Sequence, residues 1–386
     1  MNPTFQRLMH EATRLTSAGN LQAATAAIQR ALGRQPATPV HMHMPTPMPM
    51  PNHAPTATAP VAAAHDAIIL DGYVIESDVR APNPAPSGSG EFLHGSHSHA
   101  GLTRDYKLFV PPAADGRQLP LVVMLHGCTQ DPDDFAAGTG MNALAREQGF
   151  LVLYPAQAKG ANPSRCWNWF KHNHQSRGRG EAGVIASMTL AVMKERGANP
   201  AQVYIAGLSA GGAMAASVAA AYPELFAAVG VHSGLAPGAA QSLPEALSAM
   251  RAGAAGQARA SLPVPAIVFH GDRDATVNPK NGDAVIAAVL AGMQTRSERA
   301  GPATVETGVS QQGQRYTRTL HGGLGGTGGT GGNASSPALA EHWVLHGAGH
   351  AWSGGQPAGT YVDTQGPDAS REMLRFFFSH TARAGH

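Results

Sequence analysis

After residue 100, short apolar runs alternate with segments of helical periodicity, and that alternation leaves few folds open. Leu119 to Leu125 is almost wholly apolar, as in a strand covered on both faces of a parallel sheet. Tyr106 to Val110, Phe150 to Tyr154, Val203 to Ala206, Ala228 to His232 and Ala266 to Phe269 read as further strands. Between them Asp134 to Gln148, Gly183 to Arg196, Gly211 to Tyr222 and Gly282 to Leu290 read as helices. The third is mostly alanine and small enough to lie close against a sheet. The pattern predicts an α/β fold with a mainly parallel central sheet flanked by helices.

Composition narrows the class. Of 386 residues 43% are hydrophobic, enough for one large core, and only 13% are charged, with a net charge of +2. A nucleic-acid binder needs a dense basic face, and that partner is excluded. No apolar run approaches the roughly 18 to 20 residues of a membrane-spanning helix, so no integral membrane association is expected. The N-terminus carries Arg7, Glu11 and Arg14 where a secretory signal needs an unbroken apolar stretch, which predicts a cytoplasmic protein.

Ahead of the α/β region two pieces differ in character. Residues 1–34 read as a helical hairpin, with Leu8, Ala12 and Leu15 and then Leu21, Ala24, Ile28 and Leu32 as apolar stripes, either packed on the rest or docking on a particle surface. Residues 35–90 form a Pro-, Ala- and His-rich linker, largely disordered. His41, His43 and His53, with His94, His97 and His99 beyond it, lack the accompanying carboxylates or cysteines of a metal site, so no metal is expected. Residues 91–386 are left as the α/β domain. Within it the glycine-rich stretch 322–333 reads as a flexible insertion between strands Arg315–Leu320 and His342–Leu345. With no helix and lysine after it, it is not a phosphate loop.

Gly207-Leu208-Ser209-Ala210-Gly211 is a G-x-S-x-G pattern placed between an apolar strand and a helix. In that context the serine sits on a strained turn that exposes its hydroxyl at the carboxyl end of the sheet. A serine hydroxyl needs a base, and His350, on the glycine-rich loop Gly347-Ala348-Gly349-His350 after a strand, is the candidate. The carboxylate that orients it is expected in His270-Gly271-Asp272-Arg273-Asp274. Asp274 is preferred over the competing Asp272 because it lies deeper in the loop. The chain order Ser209, Asp274, His350 suits this architecture. Charge on a substrate carbonyl oxygen would be met by the backbone N–H groups of Ala210, at the helix N-terminus, and Cys128, in His126-Gly127-Cys128-Thr129-Gln130. Cys128 and Cys166 are the chain's two cysteines. They read either as two small buried residues or as one disulfide, which would pin the oxyanion loop to the aromatic segment Arg165–Phe170. Trp167, Trp169 and Trp352 form either a hydrophobic cluster or the wall of a substrate cleft, Trp352 foremost.

Together these motifs, HGCTQ (His126–Gln130), CWNWF (Cys166–Phe170), GLSAGG (Gly207–Gly212), HGDRDATV (His270–Val277) and HAWSGG (His350–Gly355), resemble those of the polyhydroxybutyrate depolymerase family of esterases. That family also includes feruloyl and acetylxylan esterases. The resemblance implies an α/β-hydrolase fold over roughly residues 90–380, Ser209, Asp274 and His350 as a triad, and the Cys128 region in the oxyanion hole. It implies a short-chain polyester, its oligomers or a small ester as substrate, with no cofactor. Many members are secreted, an extracellular alternative to the cytoplasmic expectation. Residues 1–34 would be the piece that meets a polymer granule. The rival functions are an amide hydrolase of the same fold and a granule-associated binding protein.

Overall fold

The computed structural model describes residues 88–112, 117–253, 260–294, 303–322 and 337–382. The expected hairpin 1–34, all but the last residues of the linker 35–90, and all but Gly322 of the insertion 322–333 lie outside the described residues, as does any granule contact of residues 1–34.

Twelve strands are described: β1 Glu91–His99, β2 Leu102–Val110, β3 Leu121–Leu125, β4 Leu151–Pro155, β5 Val203–Leu208, β6 Ala228–His232, β7 Ala266–Gly271, β8 Thr304–Val309, β9 Arg315–His321, β10 Ala340–Leu345, β11 Trp352–Ser353 and β12 Val362–Asp363. The α-helices are α1 Pro132–Thr139, α2 Met141–Gln148, α3 Gly180–Arg196, α4 Ala210–Ala221, α5 Leu243–Ala252, α6 Lys280–Gln294 and α7 Ala369–Phe378. The first ten strands form one sheet in the order β1-β2-β4-β3-β5-β6-β7-β10-β9-β8. Its middle, β4 to β10, is parallel, and antiparallel pairs close both sides.

The core follows from the alternation of side chains along a strand. Leu121, Val123 and Leu125 of β3 face one apolar layer, with Ile205, Val229 and residues of α3, α4, α5 and α6. Val122 and Met124 face the other, with Tyr204, Phe135 of α1, Leu144 of α2 and Phe377 of α7. Strands β3 to β7 are buried at every residue, which is why they read as continuous apolar runs rather than alternating ones.

Registers Leu125↔Gly207, Leu208↔His232, His232↔Phe269 and Trp343↔Phe269 bring the carboxyl ends of β3, β5, β6, β7 and β10 to one rim. The loops that follow them carry the candidate site, as expected where parallel strands end.

One expectation changes. The single helix over Asp134–Gln148 is two, because Gly140 (φ 64°) closes α1 and opens α2 in a left-handed conformation that helix interiors exclude. His94, His97 and His99 belong to strand β1, paired with β2 through the two-residue turn Ala100-Gly101, both at positive φ, the conformation that suits strand twist. His97 Nε2 meets Ser187 Oγ at 2.9 Å and His99 Nε2 meets the Gly178 carbonyl at 3.3 Å, so two of the three histidines fasten the hairpin on and beside α3. Among the described residues no helix is long and apolar enough to cross a membrane.

Candidate active site

Ser209 stands between β5 and α4 with φ 58° and ψ −120°. The backbone reverses there from extended to helical within one residue, between β5 and α4. The turn is held by the Ser209 N–H donating to the His232 carbonyl (2.8 Å) and the Ser209 carbonyl accepting from Ala213 (3.0 Å). A methyl group at Gly211 would overlap the carbonyl oxygens of Leu125 and His126, and one at Gly207 the Gly211 backbone. Only glycine lets strand and helix approach this closely. Among the described residues the Ser209 hydroxyl makes no hydrogen bond. The contact that would activate it, to an imidazole, is of the kind that is often long without substrate and closes in the complex.

The histidine and its acid are brought together. His350 Nδ1 donates to Asp274 Oδ2 at 2.6 Å. Asp274 Oδ1 accepts the amides of Thr276 and Val277, each at 2.8 Å, and His270 Nε2 stands 3.4 Å from Oδ2. Burial alone would raise this carboxyl's pKa. The hydrogen bonds from His270 and His350 outweigh burial and hold it well below the usual carboxylate range. Asp274 is therefore ionised wherever the protein is folded near neutrality, and it fixes the proton of His350 on Nδ1. That leaves Nε2 with a lone pair for a serine proton.

Asp272, the competing acid, is used elsewhere. Its carboxylate accepts from His346 Nδ1 (3.0 Å) and the Gly347 amide (2.7 Å), and Thr317 Oγ1 closes on His346 Nε2 at 2.8 Å. The pair braces the loop that leads to His350.

On the other side of Ser209 the loop after β3 is held by a buried network. His126 Nε2 accepts the Gln157 amide (3.1 Å), so Nδ1 carries the proton and donates to the Gly127 carbonyl (2.8 Å). Burial pushes this imidazole's pKa down to about 4, which keeps it neutral. Gly127 N–H in turn donates to Gln130 Oε1 at 2.9 Å. The Cys128 and Ala210 amides make no hydrogen bond among the described residues, and both stay available as donors. Cys128 is joined to Cys166 by a disulfide, which decides between the two readings of the cysteines. In unreduced, denatured protein no thiol should titrate, and two should appear after reduction. Two thiols without reductant would remove the cross-link.

Three residues of the arrangement had no role assigned from sequence. Glu181, fully buried at the start of α3, accepts Gln157 Nε2 (2.6 Å), the Asn168 amide (2.6 Å), Asn168 Nδ2 (2.7 Å) and Arg104 Nη2 (3.3 Å). It ties the aromatic segment to the strand beneath it, and a buried carboxylate without such partners would be strongly destabilising. His232, fully buried, accepts the Ser353 amide on Nε2 (3.0 Å) and stacks on Trp352. Burial first, then the proximity of His270 and His350, push its pKa down to about 3. Gln130 is the third, tying Gly127 to Asp134 (2.8 Å). The available signal for Glu181 was an acidic residue followed by an unbroken apolar helix, and for Gln130 its place in the HGCTQ motif.

The tryptophans are corrected. Trp167 is 0% exposed with Nε1 on the His126 carbonyl (3.1 Å), and Trp352 is 1% exposed, edge-on to Phe135, with Nε1 on Ser370 Oγ (3.1 Å). Trp169 is buried beside Phe170. Trp167 and Trp352 are sealed with their N–H groups on acceptors inside, Trp169 is buried as well, and none of the three stands exposed as a wall to substrate.

A mainly parallel sheet covered by helices on both faces, with a strained serine after a central strand, defines an α/β-hydrolase. The solved structure of acetyl xylan esterase from Aspergillus awamori superposes with a TM-score of 0.53 at 19% identity, covering 76% of this chain and 100% of that one. Residues 104–306 match the family described as esterase PHB depolymerase, and the chain belongs to it. Similar proteins include poly(3-hydroxyalkanoate) depolymerase C of Paucimonas lemoignei, 36% identical over 183 residues (44% of each chain). Acetylxylan esterase A of Talaromyces purpureogenus is 30% identical over 184 residues, 42% of this chain and 46% of that one. The chain thus spans under half the length of the curated relatives it matches.

Proposed function

We propose that this protein is a carboxylic ester hydrolase that cleaves short-chain polyhydroxyalkanoates or their oligomers by double displacement. Ser209 Oγ attacks the ester carbonyl while His350 Nε2 takes its proton. The developing oxyanion is met by the Cys128 and Ala210 amides, and the imidazolium, held by Asp274, protonates the departing alcohol oxygen. Water then attacks the acyl-enzyme, giving its proton to His350, and the acid leaves as Ser209 regains its hydrogen. The observation that carries the reading is the 2.6 Å bond between His350 and Asp274, formed on the rim where Ser209 holds its positive-φ turn. Polyester is favoured over acetylated xylan by the higher identity to the polyhydroxyalkanoate depolymerase.

Assay of the purified protein on polyhydroxybutyrate granules, soluble hydroxybutyrate oligomers, feruloyl esters and acetylated xylan, with matched amides alongside, tests the proposal. Hydroxybutyrate release is expected to exceed the other products at equal ester concentration. Turnover confined to acetylated xylan would replace the polyester reading, and turnover confined to amides would replace the esterase itself. The Cys128–Cys166 cross-link supports an oxidising compartment; we therefore propose an extracellular or periplasmic setting in place of the cytoplasmic expectation.

A further inference from the structure

Six described residues other than glycine have clearly positive φ: Ala100, Thr129, Arg165, Ser209, Ser233 and Tyr361. Ala100 makes the β1–β2 turn. The other five gather at the candidate site: Ser209 is the candidate nucleophile, Ser233 follows His232, and Thr129 and Arg165 each adjoin one of the joined cysteines. The fifth, Tyr361 (φ 53°), belongs to no motif read from the sequence. A bulky residue in this conformation persists only where its surroundings over-determine it, and such residues gather at functional sites.

The surroundings here do over-determine it. Thr360 donates its amide to Asp134 Oδ1 (2.8 Å) and its hydroxyl to Oδ2 (2.6 Å), and its carbonyl accepts Gln130 Nε2 (3.1 Å). The Tyr361 carbonyl accepts the amide of Trp352 (2.7 Å), two residues beyond His350. At the far end of the ring, the Tyr361 hydroxyl meets Thr129 Oγ1 at 3.0 Å. Thr129 gives its own proton to the Cys128 carbonyl (2.6 Å), so the phenol is the donor. The ring is therefore held at one end by the oxyanion loop and at the other by the strand leaving His350. It is still 47% exposed, the one aromatic among the large hydrophobic side chains that stand exposed in the described residues.

Strain, double tethering and exposure do not combine in a residue kept for packing. With the three tryptophans sealed, we propose that Tyr361 is a substrate-contacting, specificity-determining residue. The face of its ring supports an aliphatic acyl chain of about four carbons or more as it leaves the ester carbonyl. This rests on the ester hydrolase reading.

The test uses p-nitrophenyl acetate, butyrate and hexanoate with wild type, Tyr361→Asn and Tyr361→Phe. Asparagine accepts a left-handed backbone more readily than tyrosine, so Tyr361→Asn is expected to melt at or above the wild-type temperature and to remain assayable. At about fourfold per methylene taken from water, Tyr361→Asn should raise KM for hexanoate roughly tenfold and for acetate by less than about twofold. Its kcat should stay within about threefold, and Tyr361→Phe should keep the wild-type chain-length ratio within about twofold. A purely structural role would lower kcat on all three esters together and leave the ratio of their KM values unchanged. That result, or an unchanged Tyr361→Asn, overturns the inference alone. A wild type inactive on all three esters overturns the hydrolase reading and the inference together.

Discussion

Ser209→Ala is expected to lower kcat on p-nitrophenyl butyrate by about a millionfold, the loss typical when a serine nucleophile is removed, and to leave the melting temperature within about 2 °C. The activity loss follows from chemistry: no other hydroxyl is placed on the turn between β5 and α4. The unchanged stability follows from structure. The Ser209 hydroxyl makes no hydrogen bond among the described residues, and alanine bears the same strain at φ 58°. Ser209→Gly separates the two effects. It should be as inactive as the alanine variant and more stable by about 1–3 kcal/mol, the cost typical of a non-glycine residue in a disfavoured conformation. Thermal unfolding and a steady-state assay on the three proteins check both halves. Retention of more than about a hundredth of wild-type kcat in either variant would sink the nucleophile assignment.

The second large effect is expected at Asp274. In Asp274→Asn, the amide oxygen can still accept from Thr276 and Val277, but the amide nitrogen then faces His350. An NH2 group donates, so His350 Nδ1 must accept and its proton moves to Nε2, the atom that has to receive the serine proton. A loss of about 10⁴-fold in kcat near pH 7 is expected from this wrong tautomer. Asp272→Asn, which disturbs the His346 brace but not the 2.6 Å bond to His350, should cost less than about tenfold. If the two variants lost activity equally, the carboxylate would have been assigned to the wrong aspartate.

The same group has a consequence for acid stability. Its folded pKa is held below the ordinary carboxylate value of about 3.9. The stabilisation from the ionised form is therefore complete above that value and is lost as pH falls toward the folded pKa. Asp274→Asn removes that contribution, and its unfolding midpoint should depend less on pH below about 4.

Much of this architecture was legible in the residues. The parallel core was, because strands buried on both faces must be apolar throughout, as Leu121–Leu125 and Val203–Leu208 are. So was the turn at Ser209, since glycines at 207 and 211 are what a strand and a helix need to meet at a serine. The β1–β2 hairpin was not, because histidine, serine and glycine in Glu91–His99 carry little apolar alternation, and its pairing depends on β2 and α3. The tryptophans stayed open between cluster and cleft wall, because an aromatic motif beside a candidate catalytic loop looks the same whether its rings turn inward or outward.

By itself the sequence determined which short segments become buried strands, where the chain must turn on glycine, and which residue types stand ready for acyl chemistry; these follow from hydrophobicity and backbone sterics acting within a few residues. Only the tertiary structure decided which of two neighbouring aspartates faces His350, that Glu181 gathers four donors from Gln157, Asn168 and Arg104, and that Tyr361 rather than a tryptophan stays in contact with solvent. Those choices rest on hydrogen bonds between residues as far apart as Asp274 and His350, or Thr129 and Tyr361. Such bonds are directional and short, and they exist only once the sheet has brought the ends of its central strands to a common rim.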